Sequence, residues 1–81
     1  MASGHHTQDY VRLRTMLRDA RISRKVTQAD LAAALGKPQS YIAKYEGGER
    51  RLDVIELLAI LDGLEVSLVG FIRKLHAATD R

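Results

Sequence analysis

The 81-residue sequence predicts an all-α fold of five helices without strands, in a single domain that spans residues 1–81. Three observations lead to this prediction. Apolar residues recur three or four positions apart along most of the chain, which is the period of a helix with one buried face. Glycines and capping residues interrupt this pattern and divide it into five segments. No internal repeat, low-complexity stretch or domain boundary separates the segments.

The first predicted helix spans roughly residues 8–23. Thr7 is expected to be its N-cap, because a threonine hydroxyl can accept a hydrogen bond from a free N–H of the first turn. Leu13, Leu17 and Ala20 are expected to face inward, since their spacing places them on one side of the helix.

The second predicted helix begins after Thr27, an N-cap with the acidic Asp30 at the third helical position. Leu31 and Leu35 lie one turn apart and form one buried stripe. The helix is expected to end at Leu35, because Gly36 follows where a left-handed backbone would cost any other residue energy.

The third predicted helix runs from about Pro38 to Glu46 and is stopped by the glycine pair at 47–48. Proline suits a first helical turn, since its fixed φ fits that turn and its missing N–H is not needed there. At ~100° per residue, Ile42 and Tyr45 centre the buried side of this helix. Two short helices joined at a glycine in this way form a helix-turn-helix, a motif that binds DNA.

The fourth predicted helix follows Asp53, whose pairing with Glu56 resembles a capping box, and it runs to about Gly63. The fifth covers about residues 67–77. Apolar residues occupy much of the circumference of the fifth helix: Leu68, Val69, Phe71, Ile72 and Leu75.

The helix-turn-helix, about residues 27–46, belongs to a longer pattern that resembles the lambda-repressor-like, Cro/C1-type (XRE) regulators. The segments LRDAR (17–21), TQADLAAALGKPQSYIAKYEGGERRLD (27–53) and LEVS (64–67) carry this resemblance, which extends from about Leu13 to Leu75. Length and the C-terminal pattern also resemble the small controller proteins of restriction–modification systems. The resemblance implies a compact five-helix fold and a transcriptional regulator that binds double-stranded DNA, a dimeric repressor reading a palindromic operator.

The outer face of the third helix is expected to enter the major groove. Gln39 can form two hydrogen bonds with adenine, Ser40 can donate or accept, and Lys44 can reach guanine or a phosphate. The resemblance places base-reading residues at these three positions, whereas the alternative is a merely solvated face. Tyr41 lies at the boundary of that face, where it either packs or directs its hydroxyl at a phosphate.

Phosphate contacts are expected from residues around this helix. Gln28 opens the second helix, where an N-terminus with free N–H groups favours a phosphate. Lys37 lies in the turn, and the resemblance places Arg50 and Arg51 along the sugar-phosphate backbone. The neighbouring Glu49 favours the alternative, an ordinary solvated loop.

The resemblance also pairs an arginine of the first helix with a glutamate that ends the third, here Arg21 and Glu46. Such a pair fixes orientation more than it adds stability, because desolvation offsets much of the attraction. Three residues depart from the family pattern. Lys25 and Glu65 stand where glycine usually follows a helix, so these ends either use another geometry or accept left-handed strain. Lys37 replaces an apolar residue after Gly36.

Composition and charge fit a DNA partner. Residues 1–51 have a charge balance of +5 and residues 52–81 of −2, so the basic surplus lies with the helix-turn-helix. Cysteine is absent, which excludes disulfides and cysteine-based zinc sites. The sequence contains neither the ~20-residue apolar run of a membrane span nor a signal peptide. We expect a soluble cytoplasmic protein, bacterial or phage-encoded and associated with the nucleoid.

An enzyme is not expected, since the histidines show no metal-binding spacing and no nucleophile–base pair or phosphate loop is present. No cofactor, metal or small-molecule substrate is expected either. Two alternatives stay open: an antitoxin or restriction–modification controller that regulates its own operon, and an interaction module that has lost DNA binding. Val69 and Ile72 are expected to form a homodimer seam, since a small core cannot bury every apolar residue of the fifth helix. The alternative is that the fourth helix covers them.

Overall fold

Five α-helices and no strands make up the part of the chain that the computed structural model describes, residues 3–79. The order and number of the helices agree with the prediction. Their bounds are α1 (Ser3–Ser23), α2 (Gln28–Leu35), α3 (Gln39–Gly47), α4 (Val54–Leu64) and α5 (Leu68–Thr79).

Two predicted helix starts are wrong. The first helix begins at Ser3, so Thr7 lies inside it and is not its N-cap. Residues 3–7 contain no proline, and extending a formed helix costs little compared with nucleating one. A good capping residue at position 7 is therefore not enough to make the helix start there. The third helix begins at Gln39, and Pro38 is its N-cap, with an extended backbone at φ −71° and ψ 155°. The fixed φ of proline suits this flanking position as well as the first helical one.

The predicted caps of α2 and α4 are confirmed. The Thr27 hydroxyl accepts a hydrogen bond from the Asp30 N–H at 3.0 Å, and Gly36 closes α2 in the left-handed conformation. Asp53 and Glu56 form a complete capping box, in which each side chain accepts from the other's backbone N–H, at 2.8 and 2.9 Å. These bonds satisfy N–H groups that a helix start leaves without partners.

Lys25 and Glu65 adopt the left-handed conformation, with φ values of 59° and 58°. Of the two geometries open to these helix ends, the chain therefore uses the strained one. The N–H of Glu65 closes the end of α4 through a bond to the Asp62 carbonyl. Each end accepts the steric cost of a Cβ close to the following carbonyl, about 1 kcal/mol or more.

The core lies where α1, α2, α3 and α4 meet, and α5 packs against α1. Its centre consists of side chains that are almost fully buried: Leu17, Leu31, Ile42, Tyr45, Ile60 and Leu61. Gly63 lets α4 approach α2 closely, because a Cβ there would lie 3.2 Å from a Leu31 methyl carbon. This packing fixes α2, the first helix of the helix-turn-helix, against α4.

Val69 and Ile72 of α5 are 61 % and 41 % exposed, so the alternative in which the fourth helix covers them is wrong. The structure leaves both side chains on the surface, because α5 directs Phe71 into the core instead. None of the described helices combines the length and apolar character that crossing a membrane requires.

Candidate nucleic-acid interface

The outer face of α3 is polar and exposed. Gln39, Ser40 and Lys44 all lie on the surface, whereas Ile42 and Tyr45, on the opposite side, are completely buried. The helix contains one acidic residue, Glu46, and its side chain is buried. The exposed face of α3 therefore presents hydrogen-bonding groups and a positive charge, with no carboxylate.

Arg21 of α1 and Glu46 of α3 form the expected ion pair. Arg21 Nε and Nη2 donate to the two carboxylate oxygens of Glu46 at 2.7 and 3.0 Å, and both residues are buried. The remaining guanidinium nitrogen, Nη1, donates to the Val26 carbonyl at 2.8 Å. The hydrogen bonds to Glu46 raise the pKa of Arg21, because they favour its charged form. The pair fixes α3 to α1.

Gln28 lies between this ion pair and the outer face of α3. Its side-chain Nε2 donates to Glu46 Oε1 at 3.0 Å, and its Oε1 accepts from Gln39 Nε2 at 3.3 Å. Gln28 is half-buried and Gln39 is exposed. The structure thus brings together two residues predicted to contact DNA and connects them to a residue interpreted as purely structural.

Tyr41 is half-buried at the edge of the outer face, between two cations. The Lys37 ammonium lies 5.3 Å and the Arg50 guanidinium 4.8 Å from the centre of its ring. The ring also packs edge-on against Tyr45, with 5.9 Å between the ring centres. Burial, followed by the charge of Glu56, raises the pKa of Tyr41. Three residues predicted at separate places in the sequence therefore form one cluster, in which the ring of Tyr41 packs, while a phosphate contact of its hydroxyl stays a prediction.

Arg50 also forms an ion pair with Glu56 of the α4 capping box. A backbone N–H bond from Asp53, followed by the bond from Arg50, lowers the pKa of Glu56. The same bond raises the pKa of Arg50. Arg50 is thus oriented by an acidic partner, whereas the side chain of Lys37 contacts only an aromatic face among the contacts that the structure describes.

Sequence reasoning missed two residues of α1 that position the loop after α3. The Tyr10 hydroxyl accepts from the Leu52 N–H at 2.9 Å, and the Arg51 guanidinium lies 4.4 Å from the centre of the Tyr10 ring. Arg14 donates to the Glu46 carbonyl at 2.9 Å, and its guanidinium would lie 3.0 Å from a Cβ at position 48. Helical spacing was the available signal, because Tyr10 and Arg14 lie at helical intervals from Leu17 and therefore on the same inward-facing side of α1.

In the described part of the chain, no group of histidine, cysteine and acidic residues could hold a metal ion. The predicted DNA-contacting residues instead gather around α3: Gln28, Lys37, Gln39, Ser40, Tyr41, Lys44, Arg50 and Arg51. Val69 and Ile72 lie apart from them on α5.

Comparison with known proteins gives a consistent set of relatives. The helix-turn-helix family model matches residues 17–71. An XRE-family like protein from Pseudomonas syringae pv. tomato str. DC3000 is 42 % identical, with 91 % of this chain and 90 % of that chain covered and a TM-score of 0.87. The wild-type restriction-modification controller protein C.Esp1396I is 31 % identical, with coverages of 83 % and 87 % and a TM-score of 0.77. The C.Esp1396I tetramer in complex with its natural 35 base-pair operator is 29 % identical, with coverages of 90 % and 96 % and a TM-score of 0.80. No curated protein sequence matches the chain.

Proposed function

We infer the function from the family: this chain belongs to the Cro/C1-type (XRE) helix-turn-helix proteins, and it is a DNA-binding regulator of transcription. Within that function we propose a dimer that reads a palindromic operator with α3 in the major groove. The observation that carries this proposal is the outer face of α3, which is exposed, polar and without a carboxylate. An interaction module that had lost DNA binding would instead present acidic or apolar residues there.

Base reading is assigned to three exposed side chains of α3. Gln39 forms two hydrogen bonds with an adenine, Ser40 donates or accepts at a neighbouring base, and Lys44 reaches guanine or a phosphate one turn further along. The N-terminal residues of a recognition helix lie deepest in the groove, which agrees with the order of these roles.

Phosphate contacts are assigned to the residues around Tyr41 and to the start of α2. Lys37 and Arg50 contact the ring of Tyr41, and Arg51 lies against Tyr10, so packing limits the freedom of all three cations. A cation held in place loses less conformational entropy when it binds a phosphate. Gln28 retains one amide N–H that can donate a hydrogen bond to a phosphate oxygen.

Neutralising a phosphate contact should weaken binding to every sequence and lower the salt slope by about 1. Lys37→Ala is the variant, and Lys74→Ala, which removes an exposed lysine of α5, is its matched control. Binding is measured by fluorescence anisotropy on one duplex at several salt concentrations. Equal slopes for the two variants would contradict a phosphate role for Lys37.

Dimerisation is assigned to α5, because Val69 and Ile72 are exposed apolar side chains one turn apart. Replacing both with lysine should give a monomer. At a protein concentration where the wild type is also monomeric, the melting temperatures of the two proteins should agree within a few degrees. Sedimentation velocity at tens of micromolar tests this assignment, and a wild-type monomer under those conditions would refute it.

The decisive experiment is selection of duplexes from a random DNA pool at near-physiological salt. A two-fold consensus with half-sites about one helical turn apart would support the dimeric regulator. Gln39→Ala should then relax the preference at one position in each half-site. If no sequence is enriched, even at low salt, the proposed reading of DNA by α3 is wrong.

The likeness to C.Esp1396I favours one further candidate, a controller that regulates its own operon. That protein is a tetramer on its natural operator. Two adjacent palindromes in the selected DNA, bound cooperatively, would favour the controller, whereas a single palindrome would favour a simple repressor. In either role we propose that the chain is not an enzyme, needs no cofactor and acts on DNA in the cytoplasm.

A further inference from the structure

We propose that the carboxylate of Glu56 competes with the DNA backbone for Arg50 and thereby sets how tightly the chain binds every DNA sequence. This inference rests on the proposed function, because it concerns the phosphate contact assigned to Arg50. Glu56 is then a residue that determines affinity, in addition to its role in the capping box of α4.

The first step concerns how the carboxylate is held. Glu56 Oε1 accepts a hydrogen bond from the Asp53 N–H at 2.9 Å, and Oε2 accepts from Arg50 Nη2. The bond from the backbone fixes the carboxylate at the start of α4, so its position does not depend on Arg50. Arg50 lies six residues earlier, in the loop after α3, and meets a negative charge that is already in place.

The second step concerns where the pair lies. The Arg50 guanidinium is 4.8 Å from the centre of the Tyr41 ring, which stands at the edge of the outer face of α3. The Arg50 side chain is 42 % exposed, and that of Glu56 is 24 % exposed. The ion pair is therefore open to solvent beside the face assigned to the major groove, and a phosphate oxygen can approach the same guanidinium.

The third step compares the two acceptors. A phosphate oxygen and a carboxylate oxygen are both anionic acceptors, and a guanidinium forms charge-assisted hydrogen bonds with either. A phosphate that binds Arg50 must displace the carboxylate or share the guanidinium with it, so part of the attraction is lost. An exposed ion pair of this kind corresponds to a factor of about 1.5 to 5 in an equilibrium constant. Because phosphate contacts carry no sequence information directly, the loss is the same for every duplex.

Glu56→Gln is the first test. Glutamine also serves as the third residue of a capping box, so the variant keeps an acceptor for the Asp53 N–H and loses only the charge. Binding to a duplex of random sequence, measured by fluorescence anisotropy at near-physiological salt, should become about 1.5- to 5-fold tighter. The ion pair also stabilises the fold, so the same variant should melt at a lower temperature than the wild type at pH 7. A purely structural role for Glu56 would instead weaken binding together with stability.

A double-mutant cycle with Arg50→Gln isolates the competition. Arg50→Gln should weaken binding by a factor about 1.5 to 5 times larger in the Glu56→Gln background than in the wild type. The reason is that Glu56 already takes up part of the attraction that Arg50 can offer a phosphate. Direct repulsion between Glu56 and the DNA is present with or without Arg50, so it cancels in the cycle.

Glu49→Gln is the matched control. It removes one carboxylate from the residue directly before Arg50, and Glu49 is exposed and makes no side-chain contact that the structure describes. A cycle of Glu49→Gln with Arg50→Gln should therefore be additive. Circular dichroism establishes that each variant is folded at the temperature of the binding measurement.

Three results would overturn the inference: additivity of Glu56→Gln with Arg50→Gln, an equally large coupling in the Glu49→Gln cycle, or weaker binding by a folded Glu56→Gln variant. Failure of the proposed function has a different signature. A selection that enriches no sequence would refute reading by α3, whereas the cycle on the random-sequence duplex would still show the coupling. A wild-type chain that binds no duplex even at low salt would refute both.

Discussion

Removing Arg21 should destabilise the fold far more than removing a surface arginine. In Arg21→Ala, Glu46 keeps its buried position but loses two hydrogen bonds from the guanidinium, and the Val26 carbonyl loses one. Gln28 is the remaining side-chain donor to the carboxylate among the described contacts. The variant therefore leaves a negative charge that is 8 % exposed and without its counter-ion.

Breaking a buried ion pair in this way costs about 3–5 kcal/mol. In a domain of this size each 1 kcal/mol lowers the melting temperature by about 4–8 °C, so the expected fall exceeds about 10 °C. Circular dichroism with thermal and urea denaturation measures both quantities. Arg12→Ala is the control, since its pair with Asp9 is 3.2 Å long with side chains more than one third exposed. Such surface pairs contribute about 0–1 kcal/mol.

A double variant separates the uncompensated charge from the lost packing. Arg21→Met with Glu46→Leu removes both charges and keeps most of the volume, so it should be more stable than Arg21→Ala and within about 1–2 kcal/mol of the wild type. If Arg21→Ala were no less stable than Arg12→Ala, or if the double variant were as unstable as Arg21→Ala, the reasoning from a buried charge would be refuted.

Three further predictions follow from helix ends. Glu65→Gly should raise the free energy of unfolding by about 0.5 kcal/mol in urea, because relief of left-handed strain exceeds the added entropy of the unfolded glycine; an unchanged value would contradict strain at that φ of 58°. Gly48→Ala should cost about 1–2 kcal/mol, since φ is 87° and the new Cβ would meet an arginine guanidinium of α1 at 3.0 Å, whereas Gly47→Ala, with open space, should be neutral or stabilising. The pKa of Glu56 is lowered, first by its bond from the Asp53 N–H, so the ionised carboxylate stabilises the fold above the unfolded pKa of about 4.3, and this stabilisation is lost as the pH falls through the lower folded pKa. The melting temperature of the wild type should therefore exceed that of Glu56→Gln at pH 7. A difference that persists at pH 2 would refute this origin.

The sequence was sufficient to predict the fold where local chemistry decides the conformation. Gly36 and the pair Asp53 and Glu56 lie at helix ends that require a left-handed residue or a side-chain acceptor, and the structure confirms all three. The prediction of Thr7 as N-cap failed because a capping residue permits a helix start without requiring one, and no helix-breaking residue precedes it in α1. Pro38 was misplaced by one position because its fixed φ fits both the N-cap and the first helical residue.

The candidate site was predictable only as a set of positions. Helical periodicity separates the outer face of α3 from its buried side, so Gln39, Ser40 and Lys44 follow from the sequence. Apart from the Arg21–Glu46 pair, which the family resemblance implies, the contacts among side chains do not follow, since they depend on how far α1 and α2 lie from α3. Neither the series of bonds that joins Glu46 to Gln39 nor the packing of cations on Tyr41 has a sequence signal of its own.

These contacts imply that the three proposed base-reading positions of α3 differ in how freely they can change. Ser40 and Lys44 are exposed and make no side-chain contact that the structure describes, so substitutions there should alter DNA preference while stability stays within about 0.5 kcal/mol. Gln39 is different, because its amide belongs to the hydrogen bonds that extend from Glu46 through Gln28. New specificity at the Gln39 base should therefore require a compatible residue at position 28, whereas new specificity at the other two should not. A library randomised at positions 28, 39, 40 and 44 and selected on altered operators would show covariation between 28 and 39 alone, and independent variation at 28 would contradict the coupling.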